Sequence, residues 1–205
     1  WVPSNIWVGI GRMKSKEVIF PLEPLYKRKG IGYKQAKAVS FHPEGDSSEA
    51  KPYILVEGVF GDNLGKQEKV TYDYLINATG PKLAFDMTEG LLPATNKVYS
   101  VCTYDHAEHA SEALHKLIDQ LKKSDKKAKI LIGTGHAKAT CQGAAFEYIL
   151  NVEKELQKFG VRDKAEITWI SNEYELGDFG MDGMLMDYNG FNMKSKDMVE
   201  MIFED

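Results

Sequence analysis

Two cysteines, Cys102 and Cys141, mark the places where this chain could do covalent chemistry. Cys141 lies in "KILIGTGHAKATCQGAAFEY", residues 129–148, where the apolar run Ile130-Leu131-Ile132 feeds Gly133-Thr134-Gly135. A strand enters a phosphate-binding turn in this way, and small glycines then let a pyrophosphate approach the N–H groups at a helix start. The third glycine of G-x-G-x-x-G would fall at Lys138, and no glycine follows before Gly143, so that close approach is spoiled. Two readings stand: a dinucleotide turn kept for packing, or a turn reused to aim a thiol. At a helix start the macrodipole favours the thiolate, the nucleophilic form. Cys102, in "SVCTYDHAEHA", also precedes a helical pattern, with a buried inert thiol as its alternative. Two cysteines at helix starts are harder to dismiss than one. Glu147, six residues after Cys141, either handles protons or faces solvent. His106 follows Cys102 by four residues and His136 precedes Cys141 by five, but no C-x-x-C or H-x-x-x-H spacing supports a metal site.

The elements that must position these residues form an α/β pattern. Pro21 and Pro24 confine a first helix to 22–29, and Gly30 suits its left-handed C-terminal cap. Strand patterns at 32–41, 53–60 and 69–78, separated by "HPEGDSSEAKP" and "GDNLGKQ", predict a β-meander. A helix over 104–122, capped by Thr103 or Asp105, aligns Ala107, Ala110, Leu114, Leu117, Ile118 and Leu121 on one face. "KKSDKKAK" reads as a solvated linker and a candidate domain boundary. Beyond it, a strand at 129–133, a helix at 142–159 and a strand at 166–171 predict a β-α-β unit with a parallel pair and a right-handed crossover. "NEYELGDFGMDGM" suits a moving or ligand-facing loop.

Composition narrows the function. At 43% hydrophobic and 27% charged, 205 residues make one or two globular domains. A net charge of −4 with no basic block argues against nucleic acid as a partner. No apolar run nears the ~18 residues of a spanning helix, and no signal peptide is present. Two cysteines are too few for a disulfide scaffold. The chain starts at Trp1 without a methionine and stops after a helical pattern (Met198, Val199, Ile202), where an α/β chain would enter its next strand. A piece of a longer polypeptide is the expectation.

A third signal, "INATGPKLAF", resembles the strand end of flavoproteins with two dinucleotide-binding domains. Taken in order, "VPSNIWVGIG", "YDYLINATGPKLAF", "SVCTYDHAEHA", "ATCQGAAFEY" and "ISNEYELGDFGMDGM" run through nearly the whole chain. They resemble the sulfide:quinone oxidoreductase family of flavoproteins, whose chain is roughly twice as long.

The resemblance implies two Rossmann-like FAD/NAD(P)-binding domains, each incomplete here. Residues 1–124 would be the remainder of the FAD-binding domain with a β-meander insertion, and 125–205 the start of an NAD-binding-like domain carrying the redox cysteine. It implies oxidation of sulfide to polysulfide or sulfur through cysteine persulfides and FAD, with reduction of quinone. Cys141 matches the redox cysteine and Cys102 the cysteine joined covalently to flavin in several members. His106 and Glu147 match polar residues proposed for proton handling, and Pro3, Ser4, Asn5, Ala78, Thr79, Gly80 and Pro81 match flavin-binding segments. No metal is implied. A third cysteine, the quinone pocket, the first FAD fingerprint and the amphipathic helices for peripheral membrane association belong to family segments not matched here, so the fragment alone is expected to be inactive. A homo-oligomer is possible for the family fold. The turn at 133–138 leaves NADH without its third glycine, so NAD(H) is not an expected substrate. The competing readings are the flavoprotein subunit of a flavocytochrome-c-type sulfide dehydrogenase and a non-catalytic flavoprotein-like binding module. Cys102 favours the quinone enzyme over the former.

Overall fold

The computed structural model describes residues 1–93, 95, 97–134, 136, 138–139 and 141–204. The chain forms two compact units, 21–83 and 1–20 together with 84–205.

The larger unit opens with a tight turn at Val2–Ser4 that leads into a short helix, α1 (Asn5–Gly9). Its apolar face buries Ile6 and Val8, and Ile10 just beyond is fully buried. Gly9 is required here, since a Cβ would lie 2.7 Å from Val101 Cγ1, so α1 packs directly on the segment before Cys102. A one-turn helix, α2 (Ser15–Val18), follows, its start closed by Lys14 N–H donating to Glu17 Oε2 at 2.7 Å.

In the smaller unit, α3 (Leu22–Arg28) ends at Gly30 with φ +68°, as the glycine predicts. An antiparallel sheet of β1 (Ala36–His42), β2 (Tyr53–Gly58) and β3 (Gln67–Thr71) follows in sequential order, with a bulge between Ala38 and Ser40. The turn before β2 is organised by one carboxylate. Asp46 Oδ1 accepts from Ser48 N–H, Ser48 Oγ and Glu49 N–H, while Oδ2 accepts from Tyr53 Oη at 2.5 Å and Lys69 Nζ at 2.8 Å. The Lys69, Tyr53 and Ser48 contacts hold the Asp46 carboxyl well below the usual carboxylate range. One strand expectation needs correcting. The pattern over 69–78 becomes a strand only to Thr71, and residues 72–84 are irregular. A strand exists only through hydrogen bonds to a neighbour, and Tyr74 and Ile76 are 94% and 90% exposed with no strand beside them among the described residues.

The larger unit resumes with α4 (Tyr104–Lys122), β4 (Ala128–Gly133), α5 (Gln142–Lys158) and β5 (Ala165–Ile170). β4 and β5 pair in parallel from Ala128 opposite Ala165 to Gly133 opposite Ile170, with α5 between them in sequence. One core joins these elements: Leu114, Ile118 and Leu121 of α4 meet Val152 and Leu156 of α5, with Ile10, Val161 and Ala165, and Ile130, Ile132 and Ile167 pack against them. Each such buried side chain contributes about 1.5–3 kcal/mol. At the charged stretch 122–129, Lys164 Nζ closes α4 by donating to Leu121 O and Ser124 O. A hairpin, β6 (Leu185–Tyr188) and β7 (Phe191–Lys194), then leads into α6 (Ser195–Glu204). Its turn is Asn189-Gly190, both at positive φ, the residue pair that a two-residue hairpin turn demands.

The segment expected to be a moving or ligand-facing loop is pinned at several points. Phe179 N–H donates to Glu173 Oε1, Asp178 Oδ1 accepts from Met181 and Asp182 N–H, and buried Ser195 Oγ donates to Gly177 O while accepting from Met184 N–H. Phe179 stands edge-on to Phe146 of α5.

Candidate functional site

Both cysteines are free, exposed and at the heads of long helices. Cys102 lies two residues before α4, with Thr103 in the cap position but making no side-chain cap bond. Side chains clamp its backbone on both sides: Cys102 N–H donates to Ser100 Oγ at 3.1 Å, and Asn5 Nδ2 donates to Cys102 O at 3.4 Å. Asn5 is 4% exposed, so this predicted cofactor residue is a buried amide against the Cys102 backbone. Pro3 is exposed and Ser4 half-buried on the same turn. A cleft of about 370 Å³ opens here, lined by Trp1, Val2, Asn5, Val18, Ile19 and residues 102–105. The structure therefore brings Asn5 and Cys102 to one concavity.

His106 sits one turn into α4, half-buried and edge-on to Phe85 at 5.5 Å. Its Nδ1 is buried and has no hydrogen-bond partner among the described residues. Ala78, Thr79, Gly80 and Pro81 belong to the smaller unit and are exposed. Their turn is set by Asn77 Oδ1, which accepts from Thr79 N–H and Oγ1, and by Gly80 at φ +72°.

Cys141 stands in the cap position of α5 and makes no side-chain cap bond. Of the glycines in the opening fingerprint, Gly135 lies outside the described residues, and Gly133 has a clear physical duty. A Cβ on Gly133 would fall 1.6 Å from Ile170 O, so this glycine lets the ends of β4 and β5 meet. Lys138 N–H donates to His136 Nδ1. Glu147 faces solvent from α5, on the side away from the core residues Ile149, Val152 and Leu156.

Sequence reasoning passed over two polar residues here. Gln142 is 4% exposed and donates through Nε2 to Ala139 O and Asn172 Oδ1. The signal was a glutamine directly after the cysteine, at a helix position that turns inward. Among the described residues no group of three or more His, Cys, Asp or Glu side chains is placed to hold a metal ion, and no helix is long and apolar enough to cross a membrane.

No protein-family model matches the chain. It is 30% identical over 184 residues, 90% of its length, to a sulfide-quinone reductase of Aquifex aeolicus (strain VF5), of which it covers 37%. The X-ray structure of the sulfide:quinone oxidoreductase from the hyperthermophilic bacterium Aquifex aeolicus superimposes on all of this chain with a TM-score of 0.70 and 27% identity, and the chain covers 40% of it. In sequence and in fold the chain is thus similar to sulfide:quinone oxidoreductases, spanning about two fifths of the length of those it matches.

Proposed function

We propose that this chain is the part of a sulfide:quinone oxidoreductase that carries its redox thiol and one wall of its flavin site. In this reading 1–124 belongs to a Rossmann-like FAD-binding domain with the 36–71 sheet as a meander insertion, and 125–205 begins a second, NAD-binding-like domain. The longer protein would reach its quinone as a peripheral membrane protein. The observation that supports the reading most is the pair of free, exposed thiols at the heads of α4 and α5, in a chain similar to these enzymes along its whole length.

The residues around Cys102 fit a flavin. At about 370 Å³ the cleft lies near the lower end of ligand pockets, room for one ring system rather than a whole dinucleotide. It presents an exposed thiol and a buried carboxamide, and His106 close by in sequence has a buried nitrogen with no partner among the described residues. Asn5 and Ser100 hold the Cys102 backbone and leave Sγ free for a covalent link. FAD, when bound, supplies the two-electron acceptor from which quinone is reduced. At Cys141, hydrosulfide attacks a disulfide formed with a second cysteine of the longer protein. One S–S bond breaks and another forms, leaving a persulfide on one cysteine and a thiolate on the other. His106, whose buried Nδ1 has no partner among the described residues, is the better placed of the two candidate proton carriers, because Glu147 points to solvent.

The test uses the longer protein. Cys141→Ala should abolish sulfide-dependent quinone reduction, since only a thiol can hold sulfur covalently; a near-normal rate would refute the assignment. Wild-type protein should retain flavin after denaturation and Cys102→Ala should release it. Flavin that is never protein-bound in the wild type would refute the covalent link.

A further inference from the structure

Cys141 makes no side-chain cap bond to α5, and none of its thiol's hydrogen bonds falls among the described residues, so its neighbours place it. Gln142 Nε2 donates to Ala139 O and to Asn172 Oδ1, both at 3.2 Å. Asn172, just past β5, completes the set: its Nδ2 donates to Ala139 O at 3.1 Å, and its Oδ1 also accepts from Thr134 Oγ1 at 2.9 Å. The residue two before the thiol and the residue one after it are therefore tied to the same side chain at the end of the neighbouring strand.

The other end of the Gln142 amide makes this costly. Its Oε1 is buried with no hydrogen-bond partner among the described residues, beside Gly180, whose absent Cβ would lie 3.4 Å away. A buried acceptor without a donor destabilises a fold, and a methionine of similar shape would fill the space without that penalty. What Gln142 provides in return is the pair of bonds from Nε2.

We propose that Gln142, acting through Asn172, is a positioning residue that fixes the Cys141 thiol at the head of α5. The proposal rests on reading Cys141 as the redox thiol, but its test needs neither sulfide nor flavin. The 205-residue chain is reacted under native conditions with 4,4′-dithiodipyridine, and the rates at Cys141 and Cys102 are read by mass spectrometry in the same molecules. Cys102 makes none of these bonds and serves as the internal reference. In Gln142→Met the Cys141:Cys102 rate ratio should fall about fivefold, the factor that one net hydrogen bond is worth. Asn172→Ala should give a similar fall, and the double variant should fall no further, because the two residues act as one unit. Thr134→Val, which removes only the outer bond, should lower the ratio by a smaller factor and keeps the test open if the Asn172 variant does not fold. Lowered melting temperatures with an unchanged or raised ratio would make the network a structural strap alone and overturn the proposal, as would strictly additive effects. Failure of the redox reading is a separate result: in the longer protein, Cys141→Ala would keep sulfide-dependent quinone reduction whatever the ratio does.

Discussion

Arg12→Met should destabilise the chain by about 2 kcal/mol at pH 7. Glu155 lies on the inward face of α5 with its side chain 1% exposed, and it accepts from Arg12 Nε at 2.6 Å and Lys158 Nζ at 3.2 Å. Arg12 thereby joins the segment after α1 to α5. Removing one partner of a buried ion pair costs about 3–5 kcal/mol, because the other charge stays buried. Two features reduce that figure here: the Arg12 side chain is 38% exposed, so solvent screens it, and Lys158 still reaches the carboxylate. The pH dependence follows from the carboxyl. Burial alone would raise its pKa, but the Arg12 and Lys158 contacts outweigh burial and hold it below the usual range. A group depressed in the folded state contributes stability above its unfolded value of about 4.3, and that contribution is lost as pH falls through the folded value. The Arg12→Met penalty should therefore shrink in acid, and the variant should start to unfold at a higher pH than the wild type. Urea unfolding followed by circular dichroism at pH 7 and pH 3 measures both. A cost under ~0.5 kcal/mol at pH 7, or an equal penalty at both pH values, would refute this account of a buried pair.

Three further outcomes follow from named contacts. Gly133→Ala should disrupt the β4–β5 junction, because its Cβ would meet Ile170 O at 1.6 Å; unchanged hydrogen-exchange protection at Thr134, whose N–H bonds to Ile170 O, would contradict it. Leu156→Ala, at a fully buried core position, should cost about 2–5 kcal/mol in urea unfolding, and a loss under ~1 kcal/mol would mean that the α4–α5 core is not tightly packed. Asp46→Asn should loosen the 21–83 unit at pH 7 and remove part of its acid sensitivity. The depressed Asp46 carboxyl contributes only above its unfolded value of about 3.9, and this is lost as pH falls further, so equal amide protection of β2 in both proteins at pH 7 would count against it.

Legibility in the sequence followed the range of the forces involved. The helix over 104–122 and the β-α-β unit were readable because one apolar face repeats at helical spacing and Gly133 and Gly160 end β4 and α5, all local properties. The 69–78 pattern misled beyond Thr71, because β-propensity says only that a residue tolerates a strand, whereas pairing is decided by what lies alongside. Asn189-Gly190 carried a hairpin signal that was obscured by the glycine-rich run before it. At the site, the helix-head position of both cysteines followed from local pattern. Burial of Asn5 against Cys102 and the Gln142–Asn172 bond did not, since these partners are 97 and 30 residues apart and only the fold joins them. Glu147 was left open between proton handling and solvent, and the phase of α5 turns it outward.

The partial fingerprint at 133–138 makes physical sense once each glycine is asked what it does. A dinucleotide turn needs its first glycine for the tight exit from the strand and its later ones so that phosphate and helix can come close. Gly133 has a duty that does not depend on any ligand, since the Ile170 carbonyl occupies the space a side chain would take. Nothing comparable holds the third position, where Lys138 donates its backbone N–H to His136 and keeps its side chain in solvent. A strand-to-helix turn that held no phosphate could therefore change at its far end while its near end stays glycine. The first N–H groups of α5 have no partner within the helix, so the turn before it must fix whatever stands in front of them. Here the group in front is a thiol, and the polar residues around it bond to one another, Thr134 to Asn172 to Gln142.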